Sequence, residues 1–315
     1  MSARALRIGL VGCGRWGGLI LRDLVAVGAE VVVAEPKAGA RAQALKAGAA
    51  AAVQDMAQLP RDLDGHVVAT PTTLHAAVAE PLLAAGGRVF VEKPLTGDPA
   101  SARRLAALGA DRLFVMEKWR YHPGIQALAD AARTGELGRI HAVRSYRLGW
   151  GRSQADVDAW WTLLPHDLSI VRHILGALPA ACSAAAAAGR SAETDFFAVL
   201  ADPGEGPTAT AEIATSHPLN VRSVVVIGDL GSAQLGAADD DRIWLRRAGD
   251  GAQPVLDRSF AAHPPLAAEL QAFLGFLRGG PPPMSSAAEG LAVVERIAEL
   301  RALAGLPGPE GGLPQ

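Results

Sequence analysis

Cysteine is nearly absent. Cys13 and Cys182 are the two in 315 residues, too few for a disulfide framework, and a reducing, cytoplasmic setting fits that usage. An excess of one charge sign is also missing. Lys and Arg number 30 against 32 Asp and Glu, a formal net charge of −2. No basic stripe gathers along the chain, which argues against a nucleic-acid partner. Long apolar runs are lacking. The stretch from Ala180 to Ala188 is too short and too poor in Leu and Ile to span a bilayer. The apolar segment after Arg4 and Arg7 is interrupted by Arg15, and a glycine-rich turn explains it better than a signal peptide. His122, His141, His173, His217 and His263 have no metal-ligand spacing, so no metal is expected. There is no internal repeat.

What the chain does have is Gly12-Cys13-Gly14-Arg15-Trp16-Gly17, directly after the apolar run Leu6 to Val11 and before a helix-like segment from Leu19 to Val27. A strand running into Gly-x-Gly-x-x-Gly and then a helix is the phosphate-cradling turn of a dinucleotide-binding βαβ unit. The first glycine permits the tight turn, the second lets backbone approach a pyrophosphate, and the third lets helix and strand pack closely. The helix N-terminus then offers unpaired N–H groups to the anion. The next strand, Ala29 to Ala34, ends in Glu35. That is the distance at which an acid accepts the ribose hydroxyls of the adenosine.

Strand and helix alternate through the first part. Arg41 to Lys46 is helical. Asp64 to Ala69 reads as a buried strand ending at Thr70-Pro71, and His75 to Ala85 as a helix. Arg88 to Val91 is a strand entering Glu92-Lys93-Pro94. Pro99 to Leu108 is a helix and Arg112 to Met116 a strand. This alternation predicts a doubly wound parallel sheet, whose ligands bind beyond the carboxyl ends of the strands. From about Trp119 the texture changes. Gly124 to Thr134 is helical. Ile140 to Arg147, Phe196 to Leu200, Thr208 to Ile213, Val221 to Ile227 and Ile243 to Arg246 read as mostly antiparallel strands, with a helix over His166 to Leu175 between them. Leu266 to Leu277 and Ala287 to Ala304 are amphipathic helices. The tail from Gly305 is rich in Pro and Gly, as fraying ends are. Length and texture together predict two domains, 1–118 and 119–315.

An ordered set of motifs carries a resemblance. It comprises Gly12 to Gly18, Val68-Ala69-Thr70-Pro71 with His75, Glu92-Lys93-Pro94-Leu95, and Arg120 with Pro123. It continues with Gly135 to Ile140, Pro165-His166-Asp167-Leu168-Ser169-Ile170 and Val226 to Gly231. In this order the chain resembles the glucose–fructose oxidoreductase, inositol dehydrogenase and rhizopine-catabolism (Gfo/Idh/MocA) family over almost its whole length. The resemblance implies an N-terminal Rossmann domain and a C-terminal domain built on a large open, mostly antiparallel sheet. It implies hydride transfer between NAD(P) and a hydroxyl or carbonyl carbon of a sugar, cyclitol or nucleotide sugar, and a homodimer or homotetramer that covers the open sheet.

Carried over residue by residue, Lys93 matches the family's catalytic lysine and His166 its proton-transfer histidine. An ammonium beside the nicotinamide stabilises negative charge developing on the reacting oxygen, and imidazole titrates near neutrality. Gly12, Gly14, Arg15, Trp16, Gly17, Glu35, Thr70, Pro71, His75, Glu92, Lys93 and Arg120 are the expected cofactor residues. Lys93, Arg120, Trp161, Thr162 and His166 are the expected substrate residues. Glu35 would repel a 2′-phosphate and so favours NAD over NADP, with Lys37 and Arg41 near enough to soften that choice. Asp167 is read as a cap, a structural residue or a support for the imidazole. Trp119, Trp150, Trp160 and Trp161 cluster around the site segments, with core packing as the plainer account of each. Arg120, Arg144, Arg147 and Arg152 are candidate anion holders, but Arg144 and Arg147 point to opposite faces of a strand.

One departure matters. Four positions before the histidine the family commonly has an aspartate, and here Thr162 stands there. The enzyme then works with Lys93 and His166 alone, or Asp156 or Asp158 substitutes, or the chain is a dinucleotide-bound regulatory or sensor protein.

Overall fold

The computed structural model describes residues 4–151, 156–186, 195–201, 204, 206–249, 256–261 and 263–306. Packing divides the chain into two units, Met1–Lys118 with Pro264–Leu291, and Trp119–His263 with Ala292–Gln315.

The first unit alternates β1 (Arg7–Val11), α1 (Arg15–Ala26), β2 (Glu30–Ala34), α2 (Ala38–Lys46), β3 (Ala51–Val53), β4 (Gly65–Val68), α3 (His75–Ala84), β5 (Val89–Glu92), α4 (Pro99–Gly109) and β6 (Leu113–Met116). The strands lie in the order β3-β2-β1-β4-β5-β6, and every pairing is parallel. Strands covered on both faces need continuous apolar runs. Val89–Glu92 and Leu113–Met116 are buried at every position. The order reverses direction between β1 and β4, the switch point where sheets of this kind leave a crevice for ligand.

The second unit contains α5 (Pro123–Arg133), β7 (Ile140–Trp150), α6 (Ala159–Leu175), β8 (Ala181–Ala186), β9 (Asp195–Leu200), β10 (Thr208–Ala214), β11 (Ser216–Gly228), β12 (Gly231–Leu235), β13 (Arg242–Arg247) and β14 (Leu256–Ser259). Eight strands form one sheet in the order β14-β13-β12-β11-β7-β10-β9-β8. The β7–β10 pair is parallel and the other pairings are antiparallel. Helices α5 and α6 pack on this sheet, and Trp160 of α6 stacks on Phe196 of β9 with ring centroids 3.6 Å apart. The pattern predicts a helix from His166, yet α6 begins at Ala159. The Asp158 carboxylate caps it, accepting from the Trp160 and Trp161 N–H groups at 3.0 and 3.3 Å. An N-cap satisfies donors that the first turn leaves open, and the helix then continues through Pro165. Part of the alanine-rich run forms edge strand β8; Ala187 and Ala188 lie outside the described residues, as does Arg152.

Helices α7 (Pro265–Leu277) and α8 (Ala287–Leu303) close the chain. The texture predicts one domain from 119 to 315, but α7 belongs to the first unit. Its Leu266, Leu270, Phe273 and Leu274 join Ile8, Leu10, Val67 and Phe90 in one buried core. Phe273 stacks on Phe90 at 5.0 Å. A stripe spaced i, i+4, i+7, i+8 buries one helical face, and the sheet supplies the surface for it. The division between units falls within α8. Near its end, Arg301 pairs with Asp158, and both side chains are buried. Among the described residues no helix is long and apolar enough to cross a membrane.

Candidate functional site

The glycine turn is built as its spacing requires. Gly12 has φ +90°, and a Cβ there would stand 2.7 Å from the Ala69 carbonyl oxygen. A Cβ on Gly17 would stand 2.3 Å from the Gly12 carbonyl oxygen. Both positions are closed to any side chain by backbone. Gly14 differs: it caps α1 at φ −70°, ψ −159°, and its missing Cβ faces open space. It borders a cavity of about 310 Å³ that Cys13, Arg15, Gly18 and Ala44 also line. Cys13 is buried, and burial together with Glu35 raises its thiol pKa.

Glu35 follows β2 and is buried. One carboxylate oxygen accepts from the Cys13 N–H at 2.9 Å and the other from the Lys37 N–H at 3.0 Å. Each oxygen keeps a second acceptor site for a hydroxyl. The Arg41 guanidinium donates to the carbonyl oxygens of Glu35 and Pro36 at 2.8 and 2.7 Å. At the end of β4, Thr70 Oγ1 is buried with no hydrogen-bond partner, and Pro71 is exposed. These features fit a dinucleotide. An open glycine offers backbone at a helix N-terminus for a diphosphate, a fixed carboxylate suits a ribose, and an unsatisfied hydroxyl lies at the switch point.

His75 opens α3 and is 1% exposed. Its Nδ1 lies 2.9 Å from the Pro94 carbonyl oxygen and its Nε2 3.1 Å from that of Thr70. The ring thus braces the loop after β4 against the loop that follows Lys93.

Glu92 and Lys93 stand at the end of β5, both buried. The Trp16 indole N–H donates to Glu92 Oε1, and Glu92 Oε2 accepts from the Lys93 N–H at 3.1 Å. The Lys118 ammonium sits 4.6 Å from the Trp16 ring centroid. Burial raises the Glu92 pKa, against the lowering influence of Lys93, the Trp16 hydrogen bond and Lys118.

Glu269 of α7 is a member of this cluster that sequence reasoning missed. It is 1% exposed, and its Oε2 has no hydrogen-bond partner. Burial, then the charges of Glu92 and Glu117, push its carboxyl well above the usual carboxylate range, with Lys118 opposing. The available signal was an acid set within the apolar stripe of α7. The folded state therefore holds a proton that the unfolded chain releases. This stabilising contribution is complete below the ordinary glutamate pKa and declines by about 1.4 kcal/mol per pH unit as pH rises toward the folded value. Glu269→Gln is expected to remove that decline, so its melting temperature gains on the wild type as pH increases. An identical offset at every pH in thermal melts would show that Glu269 holds no such proton.

In the second unit, Thr162 and His166 lie four residues apart on α6, a spacing that puts side chains on one helical face. Thr162 is buried and His166 half-buried. Ser169 continues that face and accepts from Arg120 Nε at 2.7 Å, with Arg120 3% exposed. Asp167 is not the cap of α6, a place taken by Asp158. Asp167 takes Arg147 Nε at 2.7 Å, both side chains being buried. Arg147 is thereby committed to a structural pair, while Arg144 is exposed. Asp158 is committed to its cap and to Arg301. The tryptophans do not form one cluster. Trp160 is core, Trp161 lies beneath Arg301, and Trp119 stacks on His122 and carries Arg147 over its ring. Trp150 is 75% exposed. Among the described residues, no three His, Cys, Asp or Glu side chains are grouped to hold a metal ion.

A Rossmann sheet with this turn is a dinucleotide-binding fold, and the second unit carries a mostly antiparallel sheet. The family model GFO_IDH_MocA, described as "Oxidoreductase family, NAD-binding Rossmann fold", matches residues 6–113, within the first unit. The chain is 28% identical over 306 residues to myo-inositol dehydrogenase Hyg17 of Streptomyces leeuwenhoekii, covering 88% of this chain and 90% of the relative. It is 28% identical over 178 residues to UDP-N-acetylglucosamine 3-dehydrogenase of Acidithiobacillus ferrooxidans; that match covers 55% of this chain and 56% of the relative, little more than half its length. The solved structure of the latter enzyme superposes with TM-score 0.82 at 22% identity, over 96% of this chain and 98% of that one. Levoglucosan dehydrogenase in complex with NADH gives TM-score 0.85 at 18% identity, over 96% and 97%. At those identities the superpositions show the shared fold alone.

Proposed function

We propose that this protein is an oxidoreductase that moves a hydride between NAD and a hydroxyl or carbonyl carbon of a sugar, cyclitol or nucleotide sugar, with Lys93 and His166 handling the proton. The observation that carries the reading is the Glu35 carboxylate fixed on the glycine loop by the Cys13 and Lys37 N–H groups. A bound nicotinamide supplies the hydride-accepting or hydride-donating carbon. The protein's own residues do the rest. Lys93 donates a hydrogen bond to the reacting oxygen and stabilises charge developing there. In the oxidising direction His166 takes the hydroxyl proton as the carbonyl forms, and in the reducing direction it returns that proton. Arg120, Trp161 and Thr162 are proposed to line the substrate. The Glu35 charge disfavours a 2′-phosphate, and Arg41, already engaged by two carbonyls, offsets little of that.

The outer face of the second unit's sheet supports self-association. Arg144, Tyr146, Phe197, Val225 and Trp244 on it are exposed or half-buried. We propose a homodimer or homotetramer that covers this face. Thr162 favours a second reading, a dinucleotide-bound regulatory protein, because a neutral hydroxyl cannot supply the charge an aspartate would.

The test is calorimetric titration with NADH and NADPH, followed by NAD reduction assays on cyclitols, free sugars and nucleotide sugars. Tighter binding of NADH than NADPH, with turnover on one of these classes, is expected. NADH binding without turnover selects the regulatory reading, and absence of binding overturns both.

A further inference from the structure

Two hydrogen bonds in the first unit link the start of α1 to the backbone of Lys93. Trp16 lies in the first turn of α1, two residues beyond Gly14. Its indole N–H donates to one oxygen of Glu92. The other oxygen of Glu92 accepts from the backbone N–H of Lys93. The carboxylate is buried, so neither donor is readily replaced by water. Removing one leaves a buried oxygen unsatisfied, at a cost that exceeds the net worth of an ordinary hydrogen bond. The ring is held on its face as well, by the Lys118 ammonium, an arrangement favoured by the aromatic quadrupole. A tryptophan serving only as filler would need neither its N–H nor a cation on its face.

We propose that Trp16 is a positioning residue that transmits occupancy of the glycine loop to Lys93 through the Glu92 carboxylate. This rests on the proposed function in requiring a dinucleotide at the loop, and it goes further in giving Trp16 and Glu92 a role in alignment rather than in contact with ligand. A diphosphate settling on the N-terminus of α1 fixes the first helical turn. The indole carries that restraint to Glu92, and Glu92 holds the Lys93 N–H.

The experiment uses ADP-ribose, which has the diphosphate and adenosine of the cofactor but no nicotinamide to touch Lys93. Amide hydrogen exchange is followed by mass spectrometry on the full chain, with and without saturating ADP-ribose. In the wild type, slowed exchange is expected both in the glycine-loop peptide and in the peptide spanning β5 and Lys93. In Trp16→Phe the glycine-loop slowing is expected to persist, while the slowing at Lys93 falls by about tenfold, the effect of losing one hydrogen bond to a carboxylate. Glu92→Gln is expected to give the same loss, and the double variant no more than either alone. Glu92→Gln also serves as the decisive variant if Trp16→Phe fails to fold. Slowing at Lys93 that survives unchanged in these variants would overturn the proposal. So would a wild type protected only at the glycine loop. A wild type with no protection at the glycine loop would instead show failure of the dinucleotide reading itself, and would remove the proposal with it.

Discussion

Gly14→Ala is expected to melt like the wild type and yet to lose NADH, whereas Gly17→Ala is expected to lose the structure of the loop. The two glycines stand three residues apart in one motif, but they are glycine for different reasons. Gly17 has no room. Its added Cβ would lie 2.3 Å from a backbone oxygen, and backbone cannot swing aside as a flexible side chain can. Gly14 has room, since nothing of the protein lies within 4 Å of an added Cβ, and its φ of −70° is one alanine adopts readily. Only a ligand needs that space. A methyl group there would hold a diphosphate away from the N–H groups of α1. Losing two hydrogen bonds to a charged group amounts to about 3 kcal/mol, or about two orders of magnitude in Kd. Calorimetry and thermal melts on both variants check this. Unimpaired NADH affinity in Gly14→Ala would place the diphosphate elsewhere.

The same contrast explains how much of this protein was legible in its sequence. Gly12 to Gly17 and Glu35 were readable because a turn of fixed geometry demands particular residues at particular offsets. The parallel sheet was readable because β5 and β6 are apolar at nearly every position. Local signals of that kind carry their own geometry. The helix α6 was read seven residues short because its start depends on Asp158, which one expects of a loop until its cap is seen. Strands β8, β12 and β14 were not anticipated. Ala181–Ala186 lacks the β-branched and aromatic residues that mark a strand, and pairing with β9 decides its form.

Long-range pairings were the least legible part of the site. Nothing local says that Asp167 belongs to Arg147 rather than to the histidine beside it. The pair is set by β7 running under α6, and its partners are twenty residues apart. Glu269 was hidden in the same way. A helix near the C-terminus with a good apolar stripe reads as part of the nearest domain. Its return to the first sheet, through Phe273 on Phe90, brings a carboxyl into the neighbourhood of Glu92 and Glu117. Trp16 and Glu92 were both expected to bind cofactor, and the structure shows them bonded to each other. A motif thus names positions, while the partner each side chain takes is decided by the packing of distant elements.

Lys93→Met is expected to lower kcat by about 10²- to 10³-fold and to leave NADH affinity largely intact. Methionine keeps much of the length and apolar character of the lysine stem but removes the ammonium. What is lost is the donor to an oxygen that gains negative charge in the transition state, an effect of about this size when one such donor is removed. Binding of the dinucleotide depends on the glycine loop and Glu35, so it should survive. His166→Ala is also expected to lower kcat, by about 10²- to 10⁴-fold, through loss of general acid–base catalysis. It carries a second signature that Lys93→Met lacks. The wild-type rate in the oxidising direction should fall as pH drops through the imidazole range, because a protonated ring cannot accept the hydroxyl proton. That limb should vanish in His166→Ala and persist in Lys93→Met. If both substitutions instead lowered NADH affinity or the melting temperature by as much as turnover, Lys93 and His166 would be scaffold residues. The chemistry assigned to them would then have to be sought in other side chains.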